Sequence, residues 1–228
     1  MTILRIDLHV HTNRSDGILE PIAMIKFARK KGLDGIAITD HDVPMCEDEY
    51  IDLSERAGDF IVIPGVEVST RQGHILLLGV HESPPKKCDV FEALKIARKN
   101  GGIIIIPHPF DYIRKGLGSL AKKIPADGIE IYNGGTLFNF MNKKAFKLAK
   151  ERQLPMISSS DAHIPSALGH AYTIFRLAND DYRYDYRKIL HLISQNKIIP
   201  FYRKINQLEK IREKIVRKIL WNFIQAGI

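Results

Sequence analysis

Nine short apolar runs, separated by helix-like segments, fix the class of fold open to this 228-residue chain. The runs cover 3–9, 34–40, 60–69, 74–80, 102–107, 128–132, 155–160, 171–176 and 198–202. Most are rich in Ile, Val and Leu, as strands covered on both faces should be. Segments between them repeat apolar residues at helical spacing. Residues 21–31 open on Pro21, suited to a first helical turn, and stop at Gly32. Residues 89–100 carry Val90, Leu94 and Ala97 on one face and end at Gly101-Gly102. Residues 139–152 carry Phe140, Ala145, Phe146 and Ala149 in the same way. Residues 46–57 and 185–195 read as shorter helices, and 204–225 as a long one. Strands alternating with helices imply a parallel sheet with helices outside. Right-handed crossovers then leave a barrel or an open doubly wound sheet.

Five polar motifs decide between the two. DLHVHTNRSDG (7–17), TDHD (39–42), GVE (65–67), PHP (107–109) and SDAH (160–163) each follow an apolar run. An open sheet concentrates such residues at one switch point, whereas a barrel spreads them round its C-terminal rim. No GxGxxG or GxxxxGK[ST] loop follows the first strand. The expectation is one α/β domain over residues 1–228, folded as a barrel.

Composition narrows the chemistry. Cys46 and Cys88 lie far apart and form no CxxC pair, so a disulfide framework and a cysteine zinc site are both disfavoured. The N-terminus enters a strand at once, without the basic and apolar segments of a secretory leader. No run approaches a membrane span. A cytoplasmic protein with no membrane association is expected. The net charge of +8 suits an anionic substrate, nucleic acid included.

The motif residues have the types and spacing of metal ligands. His9 and His11 stand two apart at a strand end, where i and i+2 share a face. Asp16 follows in a turn that Ser15 and Gly17 help to fold back. His41 sits between Asp40 and Asp42, Glu67 follows IPGV, and His108 is stiffened between two prolines. Asp161 and His163 repeat the i, i+2 arrangement. One histidine at a strand end is more often a hydrogen-bonded core residue than a ligand. Five histidines with carboxylates, all at the same end of successive strands, are not explained that way. His with Asp and Glu, lacking cysteine, is the donor set of a hydrolytic metal cluster.

In order and content, the five motifs resemble those of the PHP superfamily, named for polymerase and histidinol phosphatase. The resemblance spans residues 7–163. It implies a distorted seven-stranded (β/α) TIM-like barrel and hydrolysis of phosphate esters. It also implies two or three divalent ions (Mn, Zn or Fe). By this resemblance His9, His11, Glu67 and Asp161 ligate one ion, and Glu67 bridges to a second shared with His108. Asp16, His41 and His163 ligate a third; some relatives have His at the Asp16 position. Several relatives supply a further His after the sixth strand, where this chain reads GIEIYNG and offers only Glu130 or Asn133. His74 is the other candidate for the second ion. Asp161, His163, Glu67 and Arg114 are the expected catalytic residues. Arg114, in FDYIRKG, resembles the family's basic phosphate contact, and its planar fork suits a phosphoryl oxygen. Arg14 is a second candidate for that role. His170 is a candidate for substrate contact or leaving-group protonation, whereas His81 and His191 read as structural.

Residues 203–218 hold seven Lys or Arg against two Glu. Ile205, Leu208, Ile211, Ile215, Ile219 and Phe223 form a stripe at helical spacing, expected to pack on the barrel. The basic residues would then face solvent or a phosphate backbone. Expected substrates are nucleotides, short oligonucleotides or other small phosphomonoesters, with no obligate protein partner. Histidinol phosphate is the alternative substrate. A non-catalytic, metal-stabilised module binding nucleic acid or protein is the alternative of another class.

Overall fold

A computed structural model describes residues 2–177 and 185–225. All nine apolar runs form strands. These are β1 (Thr2–Val10), β2 (Gly35–Ile38), β3 (Ile61–Ser69), β4 (His74–Leu78), β5 (Ile103–Ile106), β6 (Gly128–Asn133), β7 (Met156–Ser159), β8 (Ala171–Leu177) and β9 (Ile198–Tyr202). They form one sheet in the order β7-β6-β5-β4-β3-β2-β1-β8-β9. The sheet curls until its ends nearly meet. Val10 bridges Ala162, the His11 amide donates to the Ala162 carbonyl at 2.9 Å, and Thr173 of β8 bonds both backbone groups of Ser158 in β7.

The barrel class holds, with two corrections. The sheet has nine strands instead of seven, and it is mixed instead of parallel. β4 runs against β3 and β5, and β8 against β1 and β9. Only residues 70–73 separate β3 from β4, which permits a hairpin but no crossover. The link from β7 to β8 holds the SDAH motif and one 3₁₀ turn (Pro165–Ala167), again without a crossover helix.

Among the described residues six helices accompany the sheet: α1 (Pro21–Lys30), α2 (Glu47–Ala57), α3 (Val90–Lys99), α4 (Asn139–Arg152), α5 (Tyr186–Ser194) and α6 (Gln207–Gln225). Alternate strand residues divide between an inner and an outer core. Leu4, Ile6, Leu8, Ile63, Leu76 and Ile105 pack inside the barrel. Ile36, Ile38 and Val62 face α1 and α2 outside, while Val66, Leu77, Ile104 and Ile129 face α3 and α4. Each such buried side chain contributes roughly 1.5–3 kcal/mol. α5 adds Tyr186, Ile189, Leu190 and Ile193 to the inner core and plugs the end where β4 finishes at Leu78.

α6 overturns the expected packing. It lies on the barrel, but its apolar stripe faces outward: Leu208 is 77%, Ile215 53% and Phe223 51% exposed, while Lys210 is only 5% exposed. The surface beneath explains the inversion. The Arg217 guanidinium pairs with the Asp16 carboxylate, and the Lys210 ammonium donates to the Thr136 carbonyl. A polar rim receives the cationic face better than the apolar one. Residues 226–228 of the expected C-terminal helix lie outside the described residues.

Candidate metal centre

The C-terminal ends of the parallel strands converge on one rim, and β4, running backwards, brings its first residue His74 to the same place. A shift in the β1–β2 register between Asp7 and Val10 helps to aim the first motif. Leu8 belongs to the inner core and Val10 to the outer one, so the alternation flips across the shift. Such irregularities re-aim side chains; here His9 and His11 turn inward, with ring centroids 5.1 Å apart. Gly17 lets the following loop fold back. A Cβ there would stand 2.5 Å from the His11 carbonyl oxygen. His108 (φ 28°) and Asp161 (φ 55°) both adopt left-handed backbone, a strain that clusters at functional sites. The Glu130 carboxylate accepts from the His108 amide at 2.7 Å and fixes that turn.

The expected ligands come together in four overlapping groups with converging donor atoms. One holds His11, Asp16, His41 and His163; a second His9, His11 and Asp161; a third His9, Glu67 and His108. The fourth joins His74 to His41 and Glu67, not to the group containing His108. Glu67 lies at the centre, its carboxylate 3.2 Å from His9, 3.3 Å from His11, 3.2 Å from His41, 3.0 Å from His74 and 2.9 Å from His108.

Glu130 belongs to none of the groups. It accepts from His9 Nδ1 at 3.1 Å, from Asn133 Nδ2 at 2.8 Å and from the Ser159 hydroxyl. Its oxygens are thus occupied in orienting His9, an arrangement that fixes a ring's free nitrogen toward a metal. Asn133 Nδ2 also donates to Asp161 at 2.9 Å.

Burial works against charge here, and the neighbours decide the outcome. Burial would raise the Glu67 carboxyl, but the surrounding histidines hold it well below the usual carboxylate range. Asp161 is held down likewise by Arg114 and His9. Burial would lower His11, yet Asp161 and Glu67 lift it to about 9. His163 drops to about 4, through burial and its neighbour His11.

Two observations fit this pocket to cations. His163 Nδ1 lies 2.9 Å from the Asp161 carbonyl, which only accepts, so Nδ1 carries the proton. In the neutral ring Nε2 then presents a lone pair to the Asp16 carboxylate at 3.2 Å. Two electron-rich atoms face each other, and a cation between them would satisfy both. Further, His9 Nε2, both His11 nitrogens, His74 Nε2, His108 Nδ1 and Asp161 Oδ1 are buried without hydrogen-bond partners. Orphaned buried polar atoms cost free energy unless something binds them.

Among the non-ligand candidates, Arg114 lies against the ligand cluster. Its Nε and Nη2 lie 3.1 and 2.9 Å from Asp161 Oδ2, and its guanidinium rests on Gly135, where a Cβ would stand 2.5 Å from Nη2. Arg14 does not reach the site: it pairs with Glu49 at 2.8 Å and the Pro44 carbonyl at 3.0 Å. His170 lines the neighbouring cavity beside Arg203 and Glu213. Burial and Arg203 depress it to about 4, which favours the neutral ring near pH 7. His81 bonds the Met45 carbonyl and Tyr186 hydroxyl near the plugged end, and His191 is exposed on α5.

Sequence reasoning missed three contributors. Asp7, pushed up to about 7 by burial, accepts from the Ser160 amide at 3.0 Å and ties β1 to the SDAH loop. Asp40 accepts from the Thr12 amide at 2.7 Å and the Ser15 hydroxyl at 2.6 Å, bracing the loop that carries Asp16. Arg217 reaches in from α6. The two aspartates stood inside the motifs as a signal; Arg217 had none beyond its helical register.

Known proteins resemble this chain in sequence and fold. The chain is 33% identical over 160 residues to an uncharacterized protein of Methanocaldococcus jannaschii, covering 65% of this chain and 93% of that protein. It is 36% identical over 99 residues to the Escherichia coli 5'-3' exoribonuclease Rnm, covering 41% of this chain and 33% of the relative. A two-domain protein of Bacteroides vulgatus, containing a predicted PHP-like metal-dependent phosphoesterase, superposes with a TM-score of 0.71 at 22% identity. That superposition covers 93% of this chain and 70% of the other. The profile of the PHP domain matches residues 7–224, and with the His and acid cluster on the barrel rim the chain belongs to the PHP domain family.

Proposed function

We propose that the chain hydrolyses phosphate esters of nucleotides or short oligonucleotides at a cluster of two or three divalent ions. The observation that carries this reading is the buried donor set itself. Glu67 contacts five histidines, and Asp161 and Asp16 complete the rim. His9, His11, Glu67 and Asp161 would hold one ion, Glu67 and His108 a second, and Asp16, His41 and His163 a third. His74 would serve on the Glu67–His41 side. Mn, Zn and Fe all accept this mixture of ligands. Bound ions would supply Lewis acidity and lower the pKa of a water at the site.

The protein's own residues do the rest. Arg114 stands against Asp161 and can give its fork to a phosphoryl oxygen as charge develops. Glu130 keeps His9 oriented, and Asn133 keeps Asp161 oriented. The nucleotide reading draws on the exoribonuclease relative and on the basic lining of the mouth. A non-catalytic module would not need so complete a donor set.

The test is phosphate release by the Mn-loaded protein. The panel would hold nucleotides, short oligonucleotides and histidinol phosphate, with Asp161→Ala alongside. Turnover of nucleotide esters that disappears in the variant supports the reading. Turnover of histidinol phosphate alone would replace its substrate, and no turnover with metal bound would remove it.

A further inference from the structure

An amphipathic helix ordinarily buries its apolar face; α6 does the reverse. Its outward face carries Leu208, Ile211, Ile215 and Ile219, while Lys210, Lys214, Arg217, Lys218 and Trp221 turn to a cavity of about 510 Å³ beside the metal centre. The opposite wall holds Arg114 and the Gly134–Gly135 turn. This cavity shares Asp16, Arg114, Asp161, His163 and Arg217 with the smaller one, of about 200 Å³, around the ligand cluster. The two adjoin along these residues.

The charges in this larger cavity are only partly matched. Arg114 and Arg217 pair with Asp161 and Asp16, and Glu213 lies near His170. Lys214 and Lys218 have no carboxylate within ion-pair distance among the described residues. Burial and the neighbouring Arg114 lower the Lys214 ammonium, and burial brings Lys210 down to about 8. Crowded, unmatched cations destabilise a fold unless an anion joins them. Gly134 and Gly135 add no side chain of their own to the wall beside Arg114. A Cβ at Gly134 would meet the Ser160 carbonyl at 2.7 Å.

We infer that Lys214 and Lys218, with Lys210 behind them, form a second anion subsite. It holds a further phosphate of the substrate, one step along a sugar–phosphate chain from the phosphate at the metal centre. This rests on the phosphoesterase reading above. It makes the chain selective for esters bearing a second phosphate over esters of neutral alcohols. The subsite is built by the C-terminal helix and lies outside the histidine motifs.

The experiment compares wild type with a Lys214→Glu/Lys218→Glu double variant. A Lys214→Gln/Lys218→Gln pair and thermal melts control for folding. Two readouts keep the hypotheses apart. The first is the ratio of kcat/KM for 5'-phosphorylated dithymidine to that for 4-nitrophenyl phosphate, with Mn. The second is calorimetric binding of the same dinucleotide in EDTA, where no hydrolysis intervenes. The expected result is a fall of about tenfold or more in both ratio and affinity, with a smaller fall in the Gln pair. Equal ratios and equal affinities in wild type and a folded Glu pair would overturn the subsite while leaving the metal-centre reading intact. Weakened binding without hydrolysis of either ester by any protein would sustain the subsite and overturn the phosphoesterase reading.

Discussion

At the scale of single residues, the site depends on groups that touch no metal. Gly135 gives the Arg114 guanidinium its resting place, and a methyl group there would stand 2.5 Å from Nη2. Gly135→Ala should leave the melting temperature nearly unchanged, because the displaced atoms end a flexible side chain. It should lower kcat/KM by about 10- to 100-fold, less than the roughly 100- to 1000-fold of a wholly lost transition-state donor, because Arg114 is displaced and not removed. Steady-state kinetics beside a thermal melt would check this. His170 gives a pH signature. Its folded pKa of about 4 lies below the usual imidazole value. The unfolded chain therefore takes up this proton first as pH falls. The stability is fully present above pH ~6.5 and is lost as pH falls from ~6.5 to ~4. Allowing for partial solvation, the loss should be about 1 kcal/mol. Urea melts at both ends of the window should show a smaller difference in His170→Gln than in wild type.

At the scale of elements, α6 and the sheet are held by different forces. Strands β1 to β3 place most of their residues in buried layers, whereas α6 is attached through Arg217 to Asp16 and Lys210 to Thr136. Its amides should exchange with deuterium faster than those of the inner strands, and faster again when salt rises to about 1 M. Protection of α6 equal to that of β1 would contradict this. The sequence shows why one element was legible and the other not. Most strands announced themselves as Ile/Val/Leu runs, and five of them carried a polar motif at the end, so the expected ligands lie on the rim. Strand direction was less visible, since it depends on whether a short link such as 70–73 can cross over. The facing of α6 was not legible at all. Its apolar and basic stripes have the same period, and only the polar rim beneath decides which turns inward.

At the scale of the whole molecule, metal and fold should be thermodynamically linked. The donor atoms come from β1, β3, β4 and the links after β1, β2, β5 and β7. An ion binding them joins most of the barrel and stabilises the native state alone. At about 100 times its dissociation constant, such an ion adds about 2.7 kcal/mol. The melting temperature should rise with added Mn, return with EDTA, and move less in Asp161→Ala. The two ends of the barrel also differ in kind. Tyr186, Ile189 and Leu190 of α5 stop one end with packed hydrocarbon, whereas the other opens beneath the charged underside of α6. Ions and esters therefore approach from the same end, and an ester or product seated over the ligands would stand between the ions and solvent. A chelator should strip the ions more slowly from protein saturated with product than from protein alone.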